Sequence, residues 1–472
     1  MKYVITLLSL CLSVTVFGQT ALPVLKVSFS GSFDKNMSEY IYGRMELTDE
    51  TGTVIDLPAK FKTRGATAKS YMGKPSFNMK LRDAADNEID STLLGLRSAS
   101  SWILDAMAID RICMRNRVAF DLWNEYSPLP YETNFGSRNG TVGKFVEVYI
   151  NGLYKGIYCL TDRINRKLLD LKKVQINEDS TFTIRGVMYK HGTNDIKDQN
   201  TAGVFNDDST AHVIGWHDAW ELSEPEDYGS MAAWATLYDL YDNKHDYNYV
   251  LEHYWLDNLA EYQIFITALS IGDNWGNKNS YISIRNIQAD GNKKRVVYTP
   301  WDMDTSLGGR YDGGYYDGTY SNWTVKDVFK SSNKPLPFSV CGGQTEYKQL
   351  LKEKWIKGRN GALSVESVKG KLYAYRDLFL LSGAWQRQYD SMKDKSCLVE
   401  DLSKEIDYIV EWYKARYAEM DAYFEIDPAS VKDVEENCPH SSTYYNMMGV
   451  SVEHPTDGIY INNGRKVLLR SH

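Results

Sequence analysis

The sequence has few of the residues that build metal sites and disulfide frameworks: its 472 residues include six cysteines and eight histidines. No two cysteines have the CxxC spacing of zinc and redox motifs, and the histidines are scattered. Cys11 lies in the N-terminal segment, and an odd number of cysteines is left, which cannot all pair within one chain. The sequence therefore gives no argument for a zinc site, and it leaves open one bridge among Cys341, Cys397 and Cys438.

The chain also lacks a strong excess of charge of one sign. Its net charge is −8, with acidic and basic residues interspersed. This charge pattern gives no electrostatic reason to expect binding to nucleic acid or to an anionic membrane surface.

A long apolar run suited to a membrane span is missing as well. The N-terminal stretch over residues 3–17 is mostly apolar but too short to span a bilayer, and Lys2 precedes it. Gly18 fits a small-residue position of a cleavage site, so we predict a signal peptide over residues 1–18. The mature protein is then exported, to the periplasm, the cell surface or the extracellular space. The alternative is a lipid anchor at Cys11, although Leu10 stands where such sites carry a small residue.

What the chain has in abundance is aromatic residues, with 34 tyrosines and 12 tryptophans. Apolar residues make up 43% and charged residues 25%, which is typical of a folded protein with one large or two ordinary domains. Aromatic surfaces suit sugars, peptides or bases, although most aromatic side chains fill protein cores.

The first half of the chain predicts strands, one helix and one hairpin. Alternating apolar and polar residues predict strands over VLKVSFSG, YGRMELTD and SFNMKL. Helical spacing over SSWILDAMAIDRICMRNRVAFDLWNEYS predicts a helix. KFVEVYINGLYKGIYCLTDRI predicts a hairpin around Asn151-Gly152, a favoured two-residue turn.

The second half predicts a different order of elements. Residues 176–250 are polar and predict an irregular insertion, and YWLDNLAEYQIFITALSI predicts an apolar helix. NSYISIRN and RVVYTPWD predict the two strands of a second hairpin, and residues 345–424 have a helical pattern. A polar linker over residues 426–442 and a short β-rich tail over residues 443–472 end the chain.

Carboxylates and carboxamides lie at both ends of the second hairpin. Asp273, Asn277 and Asn279 precede it, and Asp302 and Asp304 follow it. Phosphoryl transfer uses such a set: one Asp orients the acceptor hydroxyl, and an Asn and another Asp hold Mg²⁺ on the phosphates. The plainer alternative is that the first group forms loops and turns and that Asp302 caps a turn.

A candidate phosphate-binding loop and a strand lysine also precede the hairpin, in the order in which kinases carry these two features. RGATAKSYMG is a loop of small residues that begins with Arg64, and the strand after it carries Lys80, with Lys74 as the rival candidate. A strand lysine on its own is more commonly a solvated residue, so the order of the segments carries the argument.

In that order the sequence resembles the spore-coat protein H (CotH) family of atypical protein kinases. The resemblance is carried by FKTRGATAKSYMGKPSFNMKL, WILDAMAIDRICMRN, FVEVYINGLYKGIYCLTDRI, DNWGNKN and TPWDMDTSLG, over roughly residues 60–310. It implies an α+β fold, an atypical kinase-like fold of two lobes with antiparallel hairpins and a helical C-terminal part. The CotH-like domain would span residues 19–425 and use ATP with Mg²⁺ or Mn²⁺.

The same resemblance implies roles for individual residues. Asp273 would be the catalytic-loop aspartate, Asn279 the metal-binding asparagine of that loop, and Asp302 the metal-binding aspartate after the hairpin. The spacing leaves Asn277 open as an alternative to Asn279, and Asp304 is a second candidate metal ligand.

The tail carries a second resemblance. YNMMGVSVEHPTDGIYINNGRKVLLR is similar to the end of a type IX secretion sorting domain, in which a Gly-Ile-Tyr strand precedes a basic strand. An ordinary terminal hairpin is the alternative. Arg470, Ser471 and His472 stand where such domains usually end in lysine.

These observations predict an exported kinase that phosphorylates Ser or Thr of a secreted or cell-surface protein. One alternative is a catalytically silent, kinase-like module that binds glycans or proteins at the surface. Another is phosphotransfer to a non-protein acceptor. The sequence identifies neither the acceptor nor the oligomeric state.

Overall fold

The computed structural model describes two compact units, residues 1–423 and residues 424–472. Within them the described residues are 21–29, 37, 39–65, 74–134, 136–191, 215–217, 220–228, 230–274, 279–289, 295–315, 324–330 and 337–426, together with four strands of the tail. The predicted signal peptide and most of the predicted linker lie outside these residues. Strands and helices occur together throughout the first unit, so the predicted α+β class is confirmed.

Seven strands of the first unit form a closed barrel. They are β1 (Val24–Phe29), β2 (Ile41–Thr48), β3 (Val54–Arg64), β4 (Ser76–Leu81), β5 (Ser101–Asp105), β6 (Gly143–Ile150) and β7 (Leu153–Asp162). Their order is β1-β2-β3-β4-β5-β7-β6, and a parallel pairing of β1 with β6 closes the ring. Alternate residues point into the barrel, where Phe61, Phe77 and Met79 belong to a continuous apolar core.

The predicted hairpin around Asn151-Gly152 is confirmed as the β6–β7 pair. Both turn residues have positive φ values, 48° and 78°. This is the backbone that a two-residue hairpin turn requires, and Asn followed by Gly adopts it at low cost.

The helix predicted over residues 100–127 is too long. Residues 101–105 form β5 instead, and the helix, α1, runs over Arg115–Tyr126. Met107 and Cys113 have left-handed φ values of 49° and 53°, which a continuous helix does not allow. Asp110 accepts hydrogen bonds of 2.7 Å from the backbone nitrogens of Met114 and Arg115, so its carboxylate defines where α1 starts.

A second sheet takes three of its five strands from residues 176–250, where we expected irregular structure. Its strands are β10 (Val187–His191), β11 (Gly215–His217), β12 (Trp220–Glu224), β13 (Ser280–Ile284) and β14 (Val296–Pro300), in the order β11-β12-β10-β13-β14. The short strands β8 (Gln175–Ile176) and β9 (Phe182–Thr183) pair with each other. Because β10 pairs with β13, much of the polar stretch builds onto the predicted hairpin, a long-range pairing that local composition does not show.

Helices form the rest of the first unit. They are α2 (Met231–Asp242), α3 (Tyr247–His253), α4 (Leu256–Ala268), α5 (Val325–Lys330), α6 (Phe338–Cys341), α7 (Thr345–Arg359), α8 (Val365–Leu381), α9 (Ala384–Met392) and α10 (Leu402–Tyr423). The helix predicted before Asp273 is confirmed as α4, and the helical region from 345 is confirmed as α7–α10. Asp421 joins α10 to α7 by accepting hydrogen bonds of 2.8 Å from the Trp355 indole and the Arg359 guanidinium.

The second unit contains a four-stranded sheet of β15 (Tyr444–Tyr445), β16 (Ser451–Val452), β17 (Gly458–Asn462) and β18 (Arg465–Leu469). The two strand-like runs seen in the sequence therefore fall in a larger sheet. In the described part of the chain, Cys113, Cys159, Cys341 and Cys397 are free thiols. None of the described helices is long and apolar enough to cross a membrane.

Candidate active site

The base of the β13–β14 hairpin is the centre of the candidate site. Ser280 lies opposite Pro300, so Asn279 and Trp301 face each other as the next pair outward, and the Trp301 nitrogen donates a 2.9 Å hydrogen bond to the Asn279 carbonyl oxygen. The buried side chain of Asn274 donates hydrogen bonds of 2.8 Å to the carbonyl oxygens of both residues. The two ends of the hairpin are thereby held together.

Asp273 belongs to the short 3₁₀ turn Gly272–Asn274 that follows α4. Asn274, the next residue, holds the hairpin base, and the Leu307 nitrogen donates a 2.8 Å hydrogen bond to the Leu269 carbonyl oxygen at the end of α4. The backbone that carries Asp273 therefore runs beside the segment that carries Asp302 and Asp304. The Asp273 side chain and all of Asn277 lie outside what the structure describes.

The two candidate ligands that flank the hairpin base share an uncommon backbone. Asn279 and Asp302 both have φ values of 57°, in the left-handed region. Neither is glycine, so each conformation costs free energy that the surrounding structure must supply. Left-handed backbone at non-glycine residues is enriched at functional sites, and here it sets the direction of both side chains where the strands end.

The side chains of these residues differ in exposure. Asp302 is exposed and Asp304 is half-buried. Asn279 is 6% exposed, and its buried Nδ2 has no hydrogen-bond partner among the described residues. An unsatisfied buried amide nitrogen calls for an acceptor, which an ordered water or a bound ligand can supply.

The chemistry of these groups fits a magnesium or manganese ion. Carboxylate and carboxamide oxygens are the hard ligands that Mg²⁺ prefers, and Mg²⁺ on nucleotides commonly takes one or two carboxylates together with phosphate oxygens. The described residues contain no cluster of three His, Cys, Asp or Glu side chains arranged for a metal ion. A site on Asp302, Asp304 and Asn279 would therefore depend on nucleotide phosphates to complete it.

Arg64 lies next to this group. It ends β3, and its guanidinium carbon is 4.8 Å from the centre of the Trp301 ring, within the range of a cation–π contact. Trp301 directly precedes Asp302. The structure thus places Arg64 against the residue that precedes Asp302, and its role as a phosphate-binding cation stays a prediction.

Lys80 lies farther along the same outer face of the barrel. It is opposite Lys60 on β3, whereas Arg64 is opposite Ser76. Its ammonium is 3.7 Å from a Glu88 carboxylate oxygen and 5.3 Å from the centre of the Tyr40 ring. The structure therefore places Lys80 on the same face as Arg64 but separates it from Arg64 along the strands.

Lys74 has a different environment. Its ammonium is buried and donates hydrogen bonds to the carbonyl oxygens of Ala106 and Ile157, at 3.0 and 2.6 Å, and to the side chain of Gln388 at 3.1 Å. Burial lowers the pKa of Lys74, an effect that Cys113 and Asp105 partly oppose. In this conformation Lys74 joins the barrel to α9.

A cleft lies between the barrel and the second sheet. Its volume is about 320 Å³, and residues lining it include Arg163, Asn165 and Glu224. Burial raises the pKa of Glu224 to about 7, although its carboxylate accepts a 2.8 Å hydrogen bond from the Arg166 nitrogen, which lowers it. A carboxyl group that titrates near neutrality is thus built into the wall of the cleft.

Sequence reasoning missed two residues that hold the site together. Asn274 joins the hairpin ends, and Asn116 on α1 contacts the backbone of Met303. Asn274 lies within DNWGNKN, and its place directly after Asp273 and before a predicted strand is the signal that could have identified it. Asn116 ends the WILDAMAIDRICMRN motif, but no pattern indicated its role, because that role arises from a contact between segments that are far apart in sequence.

A comparison with known protein families identifies one that matches most of this chain. The family model of CotH kinase protein matches residues 61–420, more than half of the chain. The chain belongs to this family. The CotH match includes the barrel from β3 onward, the hairpin and most of α10. No curated protein matches the sequence.

Membership of the CotH kinase family supports a kinase-like protein. The match begins at Phe61, just before Arg64, and it includes every candidate site residue described above. The family resemblance seen in the sequence is therefore confirmed, whereas the individual roles of these residues remain predictions.

Proposed function

We propose that the protein is an exported, ATP-dependent kinase that transfers phosphate to Ser or Thr of a secreted or cell-surface protein. One observation carries the proposal: the hairpin base places Asn279 next to Trp301 and Asp302, with the Asp273 turn tied to both. This arrangement supports the proposal, because phosphoryl transfer needs an acceptor-orienting carboxylate close to the ligands of the metal ion.

In this mechanism the residues of the chain mainly position the reacting groups. Asp273 orients the acceptor hydroxyl and takes up its proton as the oxygen attacks the γ-phosphorus, and ADP leaves with the electron pair of the broken bond. Asp302 and Asn279, with Asp304 as a further ligand, would hold a divalent ion. That ion, when bound, neutralises charge on the β- and γ-phosphates.

Arg64 and Lys80 are the proposed phosphate-binding cations. Arg64 lies against Trp301 and can reach the side of the site that carries Asp302. Lys80, from β4, is near the cleft, because its ion-pair partner Glu88 is one of the residues that line it. A nucleotide extended along the outer face of the barrel would meet both cations. A kinase-like, two-lobed arrangement of the barrel and the helical part belongs to the same proposal.

The proposed location rests on the N-terminal segment. A positively charged start, an apolar stretch and a small residue after it are the features of a secretory signal. An exported kinase must obtain ATP outside the cytoplasm, where ATP is scarce. The scarcity of ATP favours the catalytically silent module as the second candidate.

The decisive experiment uses the mature chain from residue 19 with ATP and either Mg²⁺ or Mn²⁺. We expect ATP to raise the melting temperature in the presence of the metal ion and to do so much less with a chelator. Transfer of the γ-phosphate to a generic protein acceptor or to the chain itself should accompany binding. Binding without transfer to any protein or sugar acceptor would favour the silent module. A melting temperature unchanged by nucleotide and metal would exclude phosphotransfer to a protein and to a non-protein acceptor alike.

A further inference from the structure

Asn116 connects the barrel to the segment between the two candidate metal-binding carboxylates. Its Nδ2 donates a 2.7 Å hydrogen bond to Oδ2 of Asp105 at the end of β5. Its Oδ1 accepts a 3.1 Å hydrogen bond from the nitrogen of Met303. Met303 lies between Asp302 and Asp304 and is fully buried.

The orientation of this carboxamide follows from its partners. A backbone nitrogen can only donate, and an ionised carboxylate can only accept. The Asn116 oxygen must therefore face Met303 and its nitrogen must face Asp105. A side chain with two acceptors or two donors at position 116 cannot make both hydrogen bonds.

Both ends of this link are themselves fixed. Oδ1 of Asp105 accepts hydrogen bonds from the Ser76 hydroxyl at 3.3 Å and the Met107 nitrogen at 3.1 Å. Ser76 lies opposite Arg64 in the β3–β4 pair. The link therefore extends from the strand pair of the proposed phosphate-binding arginine to the backbone of the carboxylates.

The start of α1 holds Asn116 in place. Asp110 accepts hydrogen bonds from the first backbone nitrogens of the helix, and its Oδ1 is 2.5 Å from Nη1 of the buried Arg115. Asn116 is the second residue of the helix, so its backbone is fixed within this ion-paired turn. Its side chain can then hold Met303 at a constant position.

We propose that Asn116 is a positioning residue for the carboxylates of Asp302 and Asp304, a role that rests on the proposed kinase function. The left-handed backbone of Asp302, with a φ of 57°, needs support from its neighbours. The hydrogen bond from the Met303 nitrogen to Asn116 supplies part of that support, because Met303 directly follows Asp302. Partners that orient metal ligands in this way typically change metal affinity or activity by about 10–100-fold when they are removed.

A swap of the two side chains tests the proposal. Asn116→Asp alone places a second carboxylate against Asp105, which removes the hydrogen bond and adds repulsion. Asp105→Asn alone introduces an amide NH₂ group at position 105. In one orientation this group faces the NH₂ group of Asn116, and in the other it faces the Met107 nitrogen, so two donors meet in either case. With both changes, the amide introduced at position 105 can donate to the carboxylate introduced at position 116, which still accepts from Met303. The double variant has the same net charge as the natural protein.

We expect each single variant to weaken Mn²⁺-dependent ATP binding about 10–100-fold and to lower turnover. The double variant should recover most of that loss, because the two changes are coupled. Asn248→Asp, at an exposed position in α3, is the control for the change of charge and should behave like the natural protein. A double variant that combines the losses of the two single variants would overturn the proposal.

Hydrogen exchange separates this inference from the proposed function. In Asn116→Leu the Met303 amide loses its acceptor, so its exchange should become at least about tenfold faster, while the Asn248→Asp variant should keep the natural rate. An unchanged rate at Met303 would show that Asn116 does not hold the segment. Absence of metal-dependent ATP binding in the natural protein would instead count against the kinase proposal, and the exchange result would still decide the role of Asn116.

Discussion

The backbone nitrogen of Trp301 donates a 2.9 Å hydrogen bond to the carbonyl oxygen of Asn279. Asn279 is itself a candidate metal ligand, and Trp301 directly precedes the candidate ligand Asp302. A single backbone contact thus relates the two ends of the hairpin and makes a shared metal ion geometrically reasonable. The first prediction depends on that relationship.

Asp302→Ala should abolish most metal-dependent nucleotide binding while the protein stays folded. The side chain is exposed, so its removal leaves no cavity, and the expected loss of affinity is at least about tenfold. Calorimetric titration with ATP and Mn²⁺ measures the affinity, and circular dichroism checks the fold. Asp242→Ala, at an exposed position at the end of α2, is the control for loss of a surface carboxylate. Natural affinity in Asp302→Ala would remove this residue from the metal site.

Asp273→Asn should lower turnover far more than it lowers nucleotide affinity. A residue that orients the acceptor and takes its proton acts mainly in the transition state, and such groups contribute about 10²–10⁴-fold. Steady-state kinetics and ATP titration of the same variant separate the two effects. Unchanged phosphotransfer would exclude Asp273 from the mechanism, and an equal loss of affinity would make it a metal ligand instead.

The hairpin of the candidate site could be predicted from the sequence because its elements are local. Two short strand-forming runs joined by a turn-forming connection pair with each other, so the groups before the first strand and after the second were expected at the same end of the hairpin. Helix α4 was likewise predicted from a local apolar run, whereas the α+β class was implied by the resemblance to the CotH family.

Other features could not be predicted because they depend on contacts between distant segments. Strand β10 comes from a polar stretch and is stabilised by pairing with β13. Helical spacing of apolar residues continued through 109–114, where the structure has turns, since a turn buried against the barrel also needs apolar residues. Asn116 holds Met303 across a long sequence separation that periodicity does not detect.

The two candidate lysines should respond differently to replacement. Lys80→Met should weaken ATP binding about tenfold or more without lowering stability, because it removes one charged partner from a partly exposed face. Lys74→Met should lower the free energy of unfolding by about 1–3 kcal/mol, since the carbonyl oxygens of Ala106 and Ile157 lose a buried donor.

ATP titration and urea denaturation of both variants check these expectations. Lys60→Met, opposite Lys80 on the neighbouring strand, is the control for loss of a cation from the same face. Weaker ATP binding in Lys74→Met with natural stability, together with unchanged binding in Lys80→Met, would reverse the assignment.

The pH dependence of stability should reveal Glu224. Its pKa is raised to about 7 in the folded protein, chiefly by burial, so the folded state binds a proton more tightly than the unfolded state does. The free energy of unfolding should therefore fall as the pH rises from about 4.5 to about 7, by on the order of 1–3 kcal/mol from this group. Glu224→Gln keeps an acceptor for the Arg166 nitrogen but cannot ionise, and it should be relatively more stable above pH 7.

Chemical denaturation of Glu224→Gln and of the natural protein at pH 5 and pH 8 measures this difference. Glu178→Gln, at an exposed position in the connection between β8 and β9, is the control. The same pH dependence in the Glu224→Gln variant and the natural protein would show that Glu224 does not titrate in this range.

The tail should act as a signal for secretion and contribute little to the stability of the first unit, residues 1–423. Residues 424–472 form a compact unit of their own, and a chain of this length buries little core by itself. Its strands β17 and β18 contain the Gly-Ile-Tyr run and the basic run that resemble a sorting domain. Deletion of residues 440–472 should therefore leave the melting temperature and nucleotide binding nearly unchanged. In the native host, the truncated chain should accumulate in the periplasm.

Fractionation of cells that express the natural and the truncated chains measures this directly. Deletion of residues 429–437, which shortens the linker but keeps the tail, should leave secretion intact. Normal secretion of the truncated chain would refute the sorting role. A large drop in melting temperature would instead mean that the stability of the first unit depends on the tail.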